Sequence, residues 1–265
     1  MKRITVSNQK GGIGKTAIAT NVARTMTSNF NKKVLFIDFD VQQNATFTLK
    51  QYTSDVIAYN LLLQELTTEQ IRKISAELEQ EKLVLVSASN ELADSDVIDR
   101  ELSVKILKKN LQLLDEYFDY CIIDTPPTLG NILSIIYGAS ESILIPIELD
   151  YFAARGVSAV IATYNNIKTD PTNPIYNPNL DILGIVVNKY VGHRKYQQEI
   201  YNELKSYPLL GNLFFEQKIK VSAAIQEALS KSCSLKELRK IKGSTDKKAI
   251  DSFYGLTLEI LNKWH

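Results

Sequence analysis

The stretch Lys10-Gly11-Gly12-Ile13-Gly14-Lys15-Thr16 decides how the chain is read. It follows an apolar segment, Ile4–Val6, and precedes a helical pattern over Ala17–Thr27, which is the context a phosphate-binding loop requires. Glycines let successive backbone N–H groups turn toward one anion, the helix start near Thr16 adds a favourable partial charge, and Lys15 supplies a full one. The Thr16 hydroxyl then serves as a Mg2+ ligand. Gln9 stands five positions before Gly14, where the usual pattern has glycine, so the loop is a variant. A glycine-rich turn with no ligand would leave Lys15 unexplained.

Beyond that loop, short apolar runs rich in β-branched residues recur at Val34–Ile37, Leu83–Val86, Tyr120–Ile123, Ile143–Ile147 and Ile182–Val187. Most lack polar alternation and read as strands covered on both faces. Helical patterns lie between them at Val56–Leu63, Ile71–Leu78, Val104–Phe118, Asn131–Tyr137 and Val157–Ile167. This alternation predicts an α/β fold, a mostly parallel twisted sheet with helices on both faces. The stretch Thr169–Asn179, with Pro171, Pro174 and Pro178, reads as an exposed loop. The strand after it is too apolar to edge a separate unit, so residues 1–265 are expected to form a single domain.

The chain has 265 residues, 45% hydrophobic and 23% charged, a composition that excludes collagen-like and wholly disordered proteins. Its net charge of +1 excludes a histone-like polycation. Cys121 and Cys233 are too few for a disulfide framework or a zinc cluster, and a reducing, cytoplasmic setting is expected. His193 and His265 are isolated and show no zinc spacing. No run approaches the roughly 18–20 apolar residues that a bilayer span needs, and no signal peptide is visible at the N-terminus.

The loop resembles the deviant Walker A loop of the ParA/MinD ATPases, a P-loop NTPase family, and the likeness continues in order to about residue 190. Val34-Leu35-Phe36-Ile37-Asp38-Phe39-Asp40-Val41-Gln42-Gln43-Asn44-Ala45-Thr46 resembles the family's second strand and the segment after it. Ile122-Ile123-Asp124-Thr125-Pro126-Pro127 resembles its Walker B stretch, and Pro146–Gly156 a later block. The resemblance implies ATP and Mg2+ as cofactors, with Lys10, Gly11, Gly12, Ile13, Gly14, Lys15, Thr16 and Ala17 around the nucleotide. It further implies that Lys10 reaches across a homodimer to the partner's ATP, that Asp40 orients the attacking water, and that Asn188 reads the adenine edge. Asp38 is expected to support Mg2+ hydration.

Some of these residues also carry a reading of their own. Lys15 already neutralises charge at the loop, and two close cations repel, so Lys10 is expected to point elsewhere. Asp124 ends a strand beside the loop and suits Mg2+ through a water, with Thr16. Asp38 and Asp40 follow a strand at its carboxyl end, where open α/β sheets place ligand chemistry, although an aspartate there also commonly caps a turn. Three positions depart from the family: Val41 and Gln43 stand for proline and glycine, and Ala17 for a second threonine.

From Lys189 onward there are fourteen Lys and Arg against eight Asp and Glu. This predicts a basic face for nonspecific double-stranded DNA, with Arg194, Lys195, Lys218 and Lys220 as candidates, against the alternative of a solvated helical surface. The last stretch, Ile250–His265, repeats Ile250, Phe253, Leu256, Ile260 and Trp264 at helical spacing with two acids and one lysine. It reads as a helix docked on the core, not as a cationic membrane anchor, which favours the DNA-partitioning branch over the MinD branch. The expectation is a slow ATPase, stimulated by a ParB-like protein, associated with the nucleoid and with no membrane partner. A membrane or protein-cargo positioning ATPase and a non-hydrolysing nucleotide-dependent module are the alternatives. The cysteine ligands that a nitrogenase-type iron protein needs are absent.

Overall fold

In a computed structural model, residues 1–128, 130–242 and 247–264 are described. Asp246, one of the acids after Lys189, and His265 lie outside them. Seven strands form one parallel sheet: β1 (Lys2–Val6), β2 (Val34–Asp38), β3 (Thr53–Ile57), β4 (Leu83–Ser87), β5 (Tyr120–Asp124), β6 (Ser142–Glu148) and β7 (Asp181–Asn188). Their spatial order is β3-β4-β2-β5-β1-β6-β7. The helices are α1 (Lys15–Phe30), α2 (Asn44–Thr48), α3 (Asn60–Leu63), α4 (Thr68–Gln80), α5 (Arg100–Leu113) and α6 (Asn131–Ala139). They continue with α7 (Ala153–Thr169), α8 (Lys195–Ser206), α9 (Ala223–Ser230), α10 (Leu235–Lys242) and α11 (Lys247–Asn262). This is the P-loop NTPase fold.

Successive strand residues point to opposite faces, so each central strand feeds two cores. Leu35, Ile37, Cys121 and Ile123 pack into one cluster with α5, α6 and α7. Phe36, Ile122, Ile4 and Val6 pack into the other, with Ile18, Val22 and Met26 of α1 and Phe253, Leu256 and Ile260 of α11. The apolar face of α11 is thus spent on the core, as its spacing predicts, and Trp264 closes on Tyr120 with ring centroids 5.8 Å apart. Beyond β7 the chain returns along the sheet edge: Phe215 N–H donates to the Ile185 carbonyl and Ile219 N–H to that of Val187, at 2.9 and 2.8 Å. That segment covers the edge and occupies its free backbone groups.

Three sequence expectations are corrected. Val56–Leu63 is not one helix: Val56 lies in β3, and only Asn60–Leu63 is helical. Thr53-Ser54-Asp55-Val56 alternates exposed and buried, the period of an edge strand with one covered face, and Ser54 Oγ donates to the Leu85 carbonyl of β4 at 2.9 Å. The helix expected over Val104–Phe118 runs instead from Arg100, capped by Asp99, to Leu113. The stretch Thr169–Asn179 is not exposed throughout, because Ile175 and Asn177 are buried. Asn177 Nδ2 donates to the carbonyls of Tyr137 and Ser140 at 3.0 and 2.7 Å, strapping the loop to the end of α6.

Replacing Asn177 by Ala takes its donor from the buried Ser140 carbonyl and leaves that of Tyr137 with the Ser140 N–H at 3.4 Å alone, which should cost about 1–3 kcal/mol. Thermal denaturation should show a midpoint lower by about 2–4 °C per kcal/mol in a chain of this size. An unchanged midpoint would show that the strap contributes nothing.

Candidate nucleotide-binding site

The loop between β1 and α1 bends through two left-handed glycines, Gly12 (φ 74°) and Gly14 (φ 88°), and Gly14 is the N-cap of α1. A side chain at Gly14 is excluded twice over, since a Cβ there would also lie 2.3 Å from Asn188 Nδ2. That nitrogen donates to the Ile13 carbonyl at 2.7 Å, and the Ile13 side chain is buried. The amide of Asn188 therefore holds the loop from the end of β7.

The ends of β1, β5 and β2 lie side by side, with Asp124 a register partner of both Val6 and Asp38. Thr16 Oγ1 donates to Asp124 Oδ2 at 2.6 Å, while Asp124 Oδ1 is buried without a partner. Asp38 uses both of its oxygens: Oδ1 accepts from Asp40 N–H at 3.0 Å, and Oδ2 from the Thr46 N–H and hydroxyl, each at 2.8 Å. Asp38 is therefore the clasp that closes the segment after β2, and the Thr46 hydroxyl also accepts from Ala88 N–H beyond β4. Burial pushes both carboxyls well above the ordinary carboxylate range, Asp124 the further. The neighbouring Asp38 adds to the Asp124 shift, and the Thr16 hydroxyl and Lys15 oppose it. Burial pulls the Lys15 ammonium down against the attraction of Asp124 and Asp40.

Gly11, Gly12, Gly14, Lys15 and Thr16 open onto a cavity of about 560 Å3, which Ala17 and Asp40 also line. Its far wall is Phe47 on α2 and Gln226, Leu229 and Ser230 on α9. Sequence reasoning missed the α9 residues, which belong to no motif. A cavity floored by backbone N–H groups at a helix start, with one buried lysine, suits a polyphosphate. The orphaned Asp124 oxygen beside a hydroxyl is a hard-oxygen pair that fits Mg2+, with Thr16 and Asp124 as the holders.

A family profile described as an AAA domain matches residues 1–182. The chromosome-partitioning ATPase Soj of Thermus thermophilus is 31% identical over 208 residues, covering 78% of this chain and 77% of Soj. Protein IncC of Escherichia coli is 28% identical over 264 residues, covering 98% of this chain and 70% of IncC. Among solved structures, apo McdA of Cyanothece matches with a TM-score of 0.73 at 25% identity, over 98% of this chain and 99% of that one. The chain belongs to the ParA family.

Against the ParA pattern, Lys10 does point away from the cavity, and its ammonium pairs with the Asp150 carboxylate after β6. Asp150 stood in a family-like block of the sequence, but nothing there pointed to this part. Gln43, at the family's glycine position, is left-handed (φ 56°) and caps α2, while its side chain donates to Asn90 Oδ1 at 2.8 Å. A non-glycine residue there costs about 1–2 kcal/mol, so the departure is a strained one. Two of the stretches expected to meet DNA adjoin through the backbone: Tyr190 is bridged to Lys220, and the 191–194 turn closes by Arg194 N–H on the Val191 carbonyl at 3.0 Å. Arg194, Lys195 and Lys220 are exposed there. Lys218 is half-buried, with its ammonium 3.9 Å from the Tyr201 ring centroid and 5.0 Å from that of Tyr190.

A carboxyl whose folded pKa is raised holds its proton in the folded state where the unfolded chain has lost it, so stability falls as pH rises from about 4. In nucleotide- and metal-free protein at pH 8, Asp124→Asn should therefore raise the thermal midpoint, by at least about 2 °C. A midpoint equal to or below that of the wild type would contradict the burial argument.

Proposed function

We propose that the chain is an ATP-hydrolysing partition protein that dimerises around two ATP·Mg2+, holds nonspecific duplex DNA in that state and releases it after hydrolysis. The observation that carries this reading is the Asp124–Thr16 pair, with its orphaned oxygen, at the foot of a glycine loop that also presents Lys15. Supporting it, the family includes Soj, a chromosome-partitioning ATPase. Bound Mg2+ would neutralise charge on the phosphates. Lys15 and the N–H groups of Gly11–Thr16 hold the polyphosphate, and Asp40, at the cavity edge, orients the attacking water. Asp38 serves by clasping the Asp40 segment in place and supporting Mg2+ hydration. Asn188 reaches the adenine edge while bracing the loop.

Lys10, held by Asp150 in the single chain, exchanges that carboxylate for the partner's nucleotide when two chains close. A ParB-like protein accelerates the slow basal hydrolysis. Residues 1–265 act as one domain, since the first strand and the last helix share one core. The DNA face is Arg194, Lys195, Lys218 and Lys220, with Lys218 the least available because two tyrosine rings hold it. Among the described residues no helix is long and apolar enough to cross a membrane, and the apolar face of α11 is packed inward. We place the protein in the cytoplasm, on the nucleoid.

A gel-shift assay on nonspecific duplex at fixed salt, comparing no nucleotide, ADP, ATP and a slowly hydrolysed ATP analogue, tests the reading. Retention is expected only with ATP or the analogue. Joint replacement of Arg194, Lys195 and Lys220 by Ala should weaken retention and lower the salt slope by about one for each phosphate left without its cation. No retention in any state, with ATP binding intact, would move the reading to a membrane or protein cargo.

A further inference from the structure

Lys189 directly follows β7, and its backbone is left-handed, with φ 49°. A side chain at such a position carries a steric cost that the ordinary helical region does not. Two interactions offset that cost. The Lys189 ammonium donates to the Gly12 carbonyl at 2.7 Å and lies 3.2 Å from Oε2 of Glu148, the last residue of β6. Glu148 is the register partner of Asn188, so the sheet itself sets the carboxylate beside the lysine.

The Gly12 carbonyl belongs to the peptide that carries the Ile13 N–H, and in a planar trans peptide the two groups point in opposite directions. The next carbonyl, of Ile13, is held by Asn188 at 2.7 Å from the same strand end. Consecutive carbonyls are thus drawn toward the end of β7, and the N–H groups of Ile13 and Gly14 are turned away from it. Gly12, Gly14 and Lys15 line the cavity, and Asn188 and Lys189 are not among its lining residues.

We propose that Lys189 is a positioning residue for the phosphate-binding loop, with Glu148 fixing its ammonium. With Asn188, it turns consecutive loop N–H groups toward the nucleotide's phosphates. This rests on the nucleotide-binding reading given above. The phosphates nearest the loop are common to ADP and ATP, so Lys189 acts on the binding of both and not on the chemical step.

Calorimetric titration of ATP and ADP with Mg2+, together with steady-state hydrolysis, tests this in the full chain. Lys189→Met should raise the Kd of both nucleotides about tenfold, the loss of one charge-assisted hydrogen bond, with kcat at saturating ATP within about twofold. Lys189→Arg should restore most of the affinity. Glu148→Gln should show a smaller loss, and Glu148→Gln combined with Lys189→Met should bind no worse than Lys189→Met alone. Lys189→Gly removes the ammonium but relaxes the backbone, so it should lose the same affinity without a lower thermal midpoint. If Lys189→Met does not fold, Lys189→Gly and Glu148→Gln decide the matter. Wild-type affinity in Lys189→Met or Lys189→Gly overturns the proposal. A wild-type protein that binds neither nucleotide overturns the nucleotide-binding reading with it.

Discussion

Desolvation of the Asp124 carboxylate sets the terms for the rest of the site. One oxygen accepts from Thr16, the other is buried without a partner, and the buried Asp38 stands across the register from it. Two neighbouring carboxyls away from water favour a proton, a cation or both, and the loop cation that lines the cavity beside them is Lys15, itself pulled down by burial. The arrangement is unfavourable for an isolated protein and favourable for one that receives a divalent cation together with a polyphosphate. Parallel strand ends are where a fold can place such a cluster, because the helices and loops that follow them shield it on every side but one.

The same clasp ties the cavity to distant parts of the chain. Asp38 holds Thr46, and Arg24, buried on α1, donates to the Thr48 carbonyl at 2.8 Å and to those of Cys233 and Ser232 at 2.6 and 3.1 Å. The Ser232 hydroxyl donates in turn to the Phe47 carbonyl at 2.9 Å. The segment after β2 is thereby bonded to α1 and to the turn between α9 and α10. A displacement of α2 breaks these bonds or carries the C-terminal helices with it.

Much of this was legible in the sequence, and what was not has physical reasons. The six doubly covered strands announced themselves as unbroken apolar runs, because a strand buried on both faces has no polar side to show. The edge strand β3 did not, since Thr53-Ser54-Asp55-Val56 buries only alternate residues and runs into the apolar Leu61–Leu63. Asn177 was hidden among prolines, where composition speaks for exposure and a single buried amide leaves no trace. At the site, Thr16, Lys15, Asp124 and Asp38 fall where the motifs put them, because each sits at a strand end or helix start fixed by the fold. The bond from Lys10 to Asp150 and that from Lys189 to Gly12 join residues at least 140 positions apart, and no spacing rule reaches that far. The wall that α9 contributes was missed for the same reason.

In the cycle proposed above, two chains close around nucleotide, with Asp40 needed for the chemical step and not for closure. Its most direct test is the solution mass of Asp40→Ala protein by light scattering after size exclusion, with Mg2+ and no nucleotide, ADP or ATP. Twice the chain mass of 29.9 kDa is expected with ATP only. A single-chain mass in all three conditions, with ATP demonstrably bound, would contradict the claim.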